Sequence, residues 1–284
     1  MEYVGFDVIK DNEKSLRKWE KNKVRESGIV VSSDDSTIIS KSDNLLVIDD
    51  VAISRKNNYF DTSLKILCKC EDKPSFIIIS EDLRVLDRAR KILVGYKQYN
   101  IDYVDLGRDD DMGFLMNRVD FTESSVVLIH ASDSKFENKK IVLLMDRFIN
   151  KAFLDNKNKN VRNKVYMYID CVHNLSKSQL LVKSISFRKP DNLRYVFIVD
   201  DLDCFNYDYL KEAKLIKDSC NSILYYHSSD IGTLKELSRI ANFERKVINK
   251  AIDERVVFDF ATVSGDDVVH VQLNGLSRIT KIKE

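Results

Sequence analysis

Glycine and proline are scarce: the 284 residues include 8 Gly and 2 Pro. So few breakers exclude collagen-like, linker-rich and low-complexity chains. They also argue against a glycine-dependent phosphate loop, whose backbone adopts conformations that only glycine tolerates cheaply. An excess of one charge is missing as well. Lys+Arg is 46 and Asp+Glu is 45, a formal net charge of +1. That balance excludes a bulk polycation coating nucleic acid and an acidic solvating tail, while leaving room for a local basic patch. No apolar run approaches the ~20 residues that span a bilayer. The opening MEYVGFDVIKDNEK lacks a charged start, an apolar stretch and a cleavage site, so no secretory signal is expected. The five Cys are an odd number, and Cys68 and Cys70 have no second pair to complete a zinc site. The four His are scattered. The expectation is a cytoplasmic chain with reduced thiols and no metal.

What is present is enough apolar material for a core, 44%, under a well-solvated surface with 32% charged residues. Seven short runs have strand character: Leu45–Asp49, Phe76–Ser80, Ile101–Leu106, Ser125–His130, Val165–Asp170, Tyr195–Asp200 and Ile223–His227. They are β-branched or aromatic and nearly continuous in hydrophobicity, as strands covered on both faces require. Helical spacing appears over Leu83–Tyr99, Asn138–Leu154 and Leu234–Ile240, the last opened by Asp230 as a cap. Alternating strand and helix predicts βαβ units and a mainly parallel sheet with helices on both faces. No Gly-, Pro- or Ser-rich linker divides the chain. It reads as one α/β domain: an N-terminal β/helix extension over 1–43, a core over 44–255 and a C-terminal hairpin over 256–284. In that hairpin, Val256–Val263 pairs with Val268–Leu273.

In such a sheet the first core strand leads into the place where a P-loop would sit. That motif, G-x-x-x-x-G-K-[ST], turns backbone N–H groups onto phosphates, with a Lys for the terminal phosphates and a hydroxyl for Mg²⁺. After Leu45–Asp49 the chain reads Asp50-Val51-Ala52-Ile53-Ser54-Arg55-Lys56-Asn57. Lys56 stands at the lysine position, Asp50 and Arg55 replace both glycines, and Asn57 replaces the hydroxyl. Alone, Lys56 is an ordinary exposed turn lysine. The strand Val165–Asp170, however, ends in an acid, as a Walker B strand does. Cys171 follows where a water-positioning Glu belongs. A third strand ends in Asp200, where motor ATPases carry a polar γ-phosphate sensor.

The order of segments resembles the TraG/TraD-type coupling ATPases of conjugation and type IV secretion. Asn221, Asp230 and Thr233 in SCNSILYYHSSDIGTLKELSRIANF fall on the family's late-core pattern. VYMYIDCVHNL resembles its Walker B segment, with the acidic pair reduced to Asp170 and Cys171. Arg188, Asn192 and the strand to Asp200 resemble the arginine–sensor segment, with Asp200 where Gln is usual. The strand–helix–strand from SFIIIS to IDYVDL and the tail with Gly275 also fit, although Ser80–Leu83 lacks the Asp-Pro-Lys-Gly found there. The resemblance covers residues 28–284 and implies a RecA-like P-loop NTPase core with short β additions at both ends. The family's membrane helices are not seen. Only Gly107–Ser124 stands where its helical subdomain is inserted.

Magnitudes weigh against nucleotide. Asp50 or Arg55 at a left-handed backbone position costs about 1–2 kcal/mol each. One carboxylate ~6 Å from one phosphate charge costs roughly 3 kcal/mol at an effective dielectric of about 20. Cys171 does not orient water as a carboxylate does. No ATP or Mg²⁺ cofactor and no ATPase activity are therefore expected, and the site residues Asp50, Arg55, Lys56, Asn57, Asp170, Cys171, Arg188 and Asp200 read as a vestigial nucleotide site. A second candidate is the basic cluster Lys157, Lys159, Arg162 and Lys164, either a nucleic-acid or partner contact or simply a solvated turn. No aromatic side chains are interleaved in it to stack bases.

Three functions stay open on sequence. One is an inactive coupling-ATPase-like scaffold, a monomer or weak oligomer partnered by the proteins of a transfer apparatus. The second is a divergent ATP-driven DNA motor. The third is a structural protein that keeps only the fold.

Overall fold

The computed structural model describes residues 44–49, 56–96, 98–106, 119–121, 123–131, 135–157, 163–170, 179–186, 192–205, 210–248, 267–272 and 278–283. The extension over 1–43 lies outside them. The seven apolar runs are seven strands: β1 (Asn44–Asp49), β2 (Ser75–Ser80), β3 (Asn100–Asp105), β4 (Ser125–His130), β5 (Val165–Asp170), β6 (Leu193–Val199) and β7 (Cys220–His227). Two more, β8 (Asp267–Gln272) and β9 (Arg278–Lys283), close the chain. Among the described residues six α-helices lie between them: α1 (Lys56–Leu67), α2 (Leu83–Gly95), α3 (Lys135–Lys157), α4 (Gln179–Ser186), α5 (Leu210–Asp218) and α6 (Ile231–Ile248).

All nine strands form one sheet in the order β3-β4-β2-β5-β6-β1-β7-β8-β9. Strands β1 to β7 are mutually parallel, β8 is antiparallel to β7, and β9 is antiparallel to β8. The expected α/β core with helices on both faces and a β addition at the C-terminal end is therefore present. Two-sided burial explains the unbroken apolar runs. Leu45 and Val47 of β1 pack with Tyr59, Phe60 and Leu64 of α1 and Leu86 of α2, whereas Leu46 and Ile48 pack with α3, α4, α5 and α6 on the other face. Each fully buried aliphatic side chain contributes roughly 1.5–3 kcal/mol, so β1 is held from both sides.

The tail differs from expectation. The strand at Val268–Leu273 has β7 and β9 as its neighbours, with Val271 opposite Ile223 on one side and Ile279 on the other. Its hairpin partner is thus Arg278–Lys283, not Val256–Val263, which lies outside the described residues. Helices α1, α4 and α5 were not expected. KNNYFDTSLKIL is polar at its start, and QLLVKSIS and LKEAKLIKD are too brief to display a helical period.

Candidate functional site

Seven parallel strands open on one edge, and six of them end there in a polar residue. Asp49, Ser80, Asp105, His130, Asp170 and His227 close their strands, and Asp200 directly follows β6. Side chains alternate between faces along a strand. Val47, Ile78 and Tyr168 face α1 and α2, so Asp49, Ser80 and Asp170, two positions further on, lie on that same face. Strand β6 runs between β1 and β5. The three acid-ended strands are therefore side by side, with Asp200 between Asp49 and Asp170. Asp49 is 1% exposed, Asp170 is half-buried and Asp200 is exposed.

Helix α1 brings Lys56, its first residue, to the same edge and face. What fixes α1 is a buried polar clasp. Tyr168 of β5 donates its hydroxyl to Ser63 Oγ at 3.0 Å, and Ser63 Oγ donates to the Phe60 carbonyl at 3.0 Å. The Phe60 and Tyr168 rings meet edge to face with centroids 5.2 Å apart. Burial pushes the Tyr168 hydroxyl well above its ordinary range, so it stays a neutral donor. The strand ending in Asp170 thus anchors the helix that begins with Lys56.

A second feature is a row across four strands. Asp105 pairs in register with His130, His130 with Ser80, and Ser80 with Asp170. His130 Nδ1 is 3.5 Å from Asp105 Oδ1, and Ser80 Oγ donates to Asp170 Oδ2 at 3.0 Å. Ser80 Oγ also accepts from the Asp82 N–H at 3.0 Å. Asp82 caps α2 through the Arg84 N–H, and the Arg84 guanidinium beside it holds its carboxyl below the usual range. On the far side, Asp230 caps α6 by accepting from the Gly232 and Thr233 N–H groups. The Thr233 side chain first, and then these N–H groups, lower its pKa by hydrogen bonding to the carboxylate. Thr233, 1% exposed, accepts the Leu202 N–H at 2.8 Å and so ties α6 to the turn leaving β6. In that turn Asp201 accepts from the Cys204 N–H at 3.1 Å, while burial raises its pKa.

The predicted residues divide between the two ends of the sheet. Lys56, Asn57, Asp170 and Asp200 share the open edge, the first two described in backbone only. Asp50, Arg55, Cys171 and Arg188 lie outside the described residues, as do Lys159 and Arg162 of the basic cluster. Lys157 ends α3 and Lys164 precedes β5, both at the opposite end of the sheet. Lys164 Nζ lies 3.6 Å from Asp72 Oδ2, so this member of the cluster is engaged within the fold. Sequence reasoning passed over Ser80, Asp105 and His130. A polar residue closing each apolar run, as in SFIIIS and SVVLIH, was their available signal. The buried C-x-C pair is inert: burial pushes the Cys68 thiol up to about 12 and the Cys70 thiol up to about 11. Among the described residues no cluster of His, Cys, Asp or Glu could hold a metal. Nor is any described helix long and apolar enough to cross a membrane.

A parallel sheet with one strand between a lysine-led helix and an acid-ended strand has the arrangement of a RecA-like P-loop NTPase fold, the fold shared by solved structures of a conjugative coupling protein. No family model and no curated protein matches the sequence. Solved structures do match the fold. The plasmid coupling protein TrwB, bound to the non-hydrolysable GTP analogue GDPNP, aligns with a TM-score of 0.51 at 11% identity, over 94% of this chain and 91% of that one. TrwB in an unbound form aligns with 0.54 at 11% identity, over 93% and 90%. A chain described as an ATPase aligns with 0.51 at 7% identity, over 95% and 94%. At such identities the likeness is one of fold.

Proposed function

We propose that this chain is a binding or scaffold component of a conjugative DNA-transfer or type IV secretion apparatus, built on a coupling-ATPase fold that no longer turns over ATP. The observation that carries the reading is the pairing of a P-loop placement with unsuitable residues. Lys56 opens a helix at the edge that holds Asp170. Yet the chain between Asp49 and that helix begins with Asp50 and ends with Arg55 in place of the two glycines, and Asn57 offers no hydroxyl. Asp49, buried on the α1 side, adds a further carboxylate. These residues do not fit a triphosphate with Mg²⁺, for which one carboxylate at ~6 Å already costs roughly 3 kcal/mol per phosphate charge. Cys171 at the water-positioning place removes the general base.

The acidic edge also disfavours a stable self-complementary ring, because like charges at that density oppose it unless a basic partner covers them. We expect a cytoplasmic protein that engages the protein partners of a transfer apparatus through Asp170, Asp200 and Asp201, with nucleic acid or a second partner at the Lys157–Lys164 end. Titration calorimetry with ATP and Mg²⁺ should give no heat, and no phosphate should be released. Substituting Asp50→Gly, Arg55→Gly, Asn57→Thr and Cys171→Glu together should bring nucleotide binding back. Turnover by the unmodified protein would instead establish a divergent motor, the reading that the position of Lys56 favours. A closed hexamer in the absence of nucleotide would remove the scaffold reading.

A further inference from the structure

Helices α1 and α2 lie side by side on one face of the sheet and are tied together at their C-terminal ends. Tyr96, just past α2, donates its hydroxyl to the Lys65 carbonyl of α1 at 3.4 Å. Gln98 Nε2 donates to the Cys68 carbonyl at 3.3 Å. Beneath them, Ile66, Ile92 and Tyr96 pack on the cluster that holds Leu64 and Leu93. The two helices therefore present one outer surface. The inner line of α2, Val85, Leu86, Ala89 and Leu93, is buried, so the core is complete without any side chain from its outer line.

That outer surface is basic and carries exposed aliphatic side chains. Lys65 of α1, Lys69 just past it, and Arg90 and Lys91 of α2 are all exposed. None of the four forms an ion pair with a described residue. Arg84 is exposed too, but Asp82 holds it at 2.8 Å. Asp87 is the only exposed acid among the described residues of the two helices. Leu83 is 48% exposed and Val94 is 59% exposed. They stand about three turns apart on nearly the same line of α2, roughly 16 Å from one to the other, with Arg90 between them.

A single exposed aliphatic residue is ordinary, and so is a single exposed lysine. Two aliphatic residues set among unpaired cations narrow the choice of partner. Cations alone suit any polyanion, but a phosphate backbone offers nothing to Leu83 and Val94. An anionic bilayer offers both: lipid phosphates and carboxylates for Lys65, Lys69, Arg90 and Lys91, and acyl chains below the headgroups for the two aliphatic residues. Tyr96, half-buried with a polar tip, is a residue type that suits the level between them. We propose that the outer face of α1 and α2 is a peripheral contact for an anionic lipid bilayer. Neither helix enters the hydrocarbon; the cations supply the attraction, and Leu83 and Val94 reach into the headgroup region. Such a contact is reversible and sensitive to salt. It goes beyond the functional reading above and does not depend on it, since neither nucleotide nor the acids at the strand ends take part.

The test is co-sedimentation of the full chain with two kinds of vesicle, phosphatidylcholine alone and phosphatidylcholine with about 30% phosphatidylserine, at about 0.1 M salt and again at about 0.5 M. The expected result is partition onto the anionic vesicles at the lower salt, none onto the neutral ones, and release at the higher salt. Each cation close to an anionic surface is worth roughly fivefold in partition. Lys65→Gln with Lys69→Gln, and Arg90→Gln with Lys91→Gln, should therefore each lower it about 25-fold. Val94→Ser should lower it severalfold while leaving its salt dependence unchanged. Lys183→Gln with Lys214→Gln, exposed cations on the helices of the other face, should leave it as it was. The wild-type series stands even if a variant fails to fold. A wild-type chain that stays in the supernatant overturns the proposal, as does equal binding to both kinds of vesicle. A loss in the Lys183 and Lys214 variant as large as in the other two pairs overturns it as well. Retention of a single-stranded oligonucleotide through the same four cations, with no vesicle binding, would replace it with a nucleic-acid surface.

Discussion

The two ends of the parallel strands are built on different terms. At the end where the strands begin, short side chains stitch the backbone. Ser75 Oγ donates to the Glu123 carbonyl at 2.9 Å and accepts the Ser125 N–H at 3.2 Å. Ser125 Oγ donates to the Asp120 carbonyl at 2.7 Å, and Ser124 Oγ to the Lys73 carbonyl at 3.0 Å. Asn44 Nδ2 reaches Ser219 Oγ at 3.3 Å, and Lys164 pairs with Asp72. At the end where the strands finish, Asp49, Asp105, Asp170, Asp200 and Asp201 gather like charge. One end spends its polar residues on closing the fold. The other concentrates carboxylates that repel one another, at the edge where open α/β sheets place their ligands.

Substitutions should separate the two ends. The largest effect belongs to Ser75→Ala. It removes both hydrogen bonds of a fully buried hydroxyl, although the Ser125 N–H keeps the Glu123 carbonyl as acceptor at 2.9 Å, so the loss in urea unfolding should be about 2 kcal/mol. Next comes Thr233→Val, which keeps the shape but strands the buried Leu202 N–H. It should cost about 1–2 kcal/mol, and Thr233→Ser should restore most of it. If Thr233→Val were silent, the turn after β6 would not be tied to α6 as described.

Asp230→Ala should cost about 1 kcal/mol as a lost helix cap. Its pH dependence has a definite sign. The folded pKa of Asp230 is depressed, so its contribution is present above the unfolded carboxylate range and is lost as pH falls through the folded value. The smallest effect, and one of opposite sign, is expected for Asp201→Asn. The folded pKa of Asp201 is raised by burial. The group therefore favours folding below its unfolded pKa and loses that advantage as pH rises through the folded value. Asn keeps an oxygen for the Cys204 N–H without the charge. Unfolding at pH 7 should shift by a few tenths of a kcal/mol toward stability, and the difference from wild type should vanish in acid. Destabilisation at pH 7 would mean that the carboxylates at this end are better compensated than burial implies.

Much of the sheet was legible in the sequence because its strands are buried on both faces. Ser125–His130 and Val165–Asp170 are strands over those very bounds. Helix α1 was hidden by its own composition. Tyr59, Phe60, Leu64 and Leu67 form its apolar face, but Lys56, Asn57, Asn58 and Asp61 make the segment read as a loop. The tail hairpin slipped by one strand because Val256–Val263 has the same alternating pattern as the true partner, Arg278–Lys283. The strands to Asp49, Asp170 and Asp200 were legible one by one as apolar runs closed by an acid. The row from Asp105 to Asp170 was not, since it needs β2 between β4 and β5, an order that no local pattern encodes. Lys164 looked like one of four equivalent surface cations. Its pairing with Asp72 depends on a contact remote in sequence.

Strand β1 has a history implied by its neighbours. Leu45 sits opposite Val196 of β6 and Ser222 of β7, and no earlier strand flanks it. At 5–20 residues per second, its first partner leaves the ribosome roughly 8–30 seconds after it does. For that interval NLLVID, with four apolar residues in a row, has synthesised helices to lean on but no backbone to pair with. A nascent chain arrested before β6 would hold this interior strand with both edges bare, and quality-control machinery would meet the protein in that form.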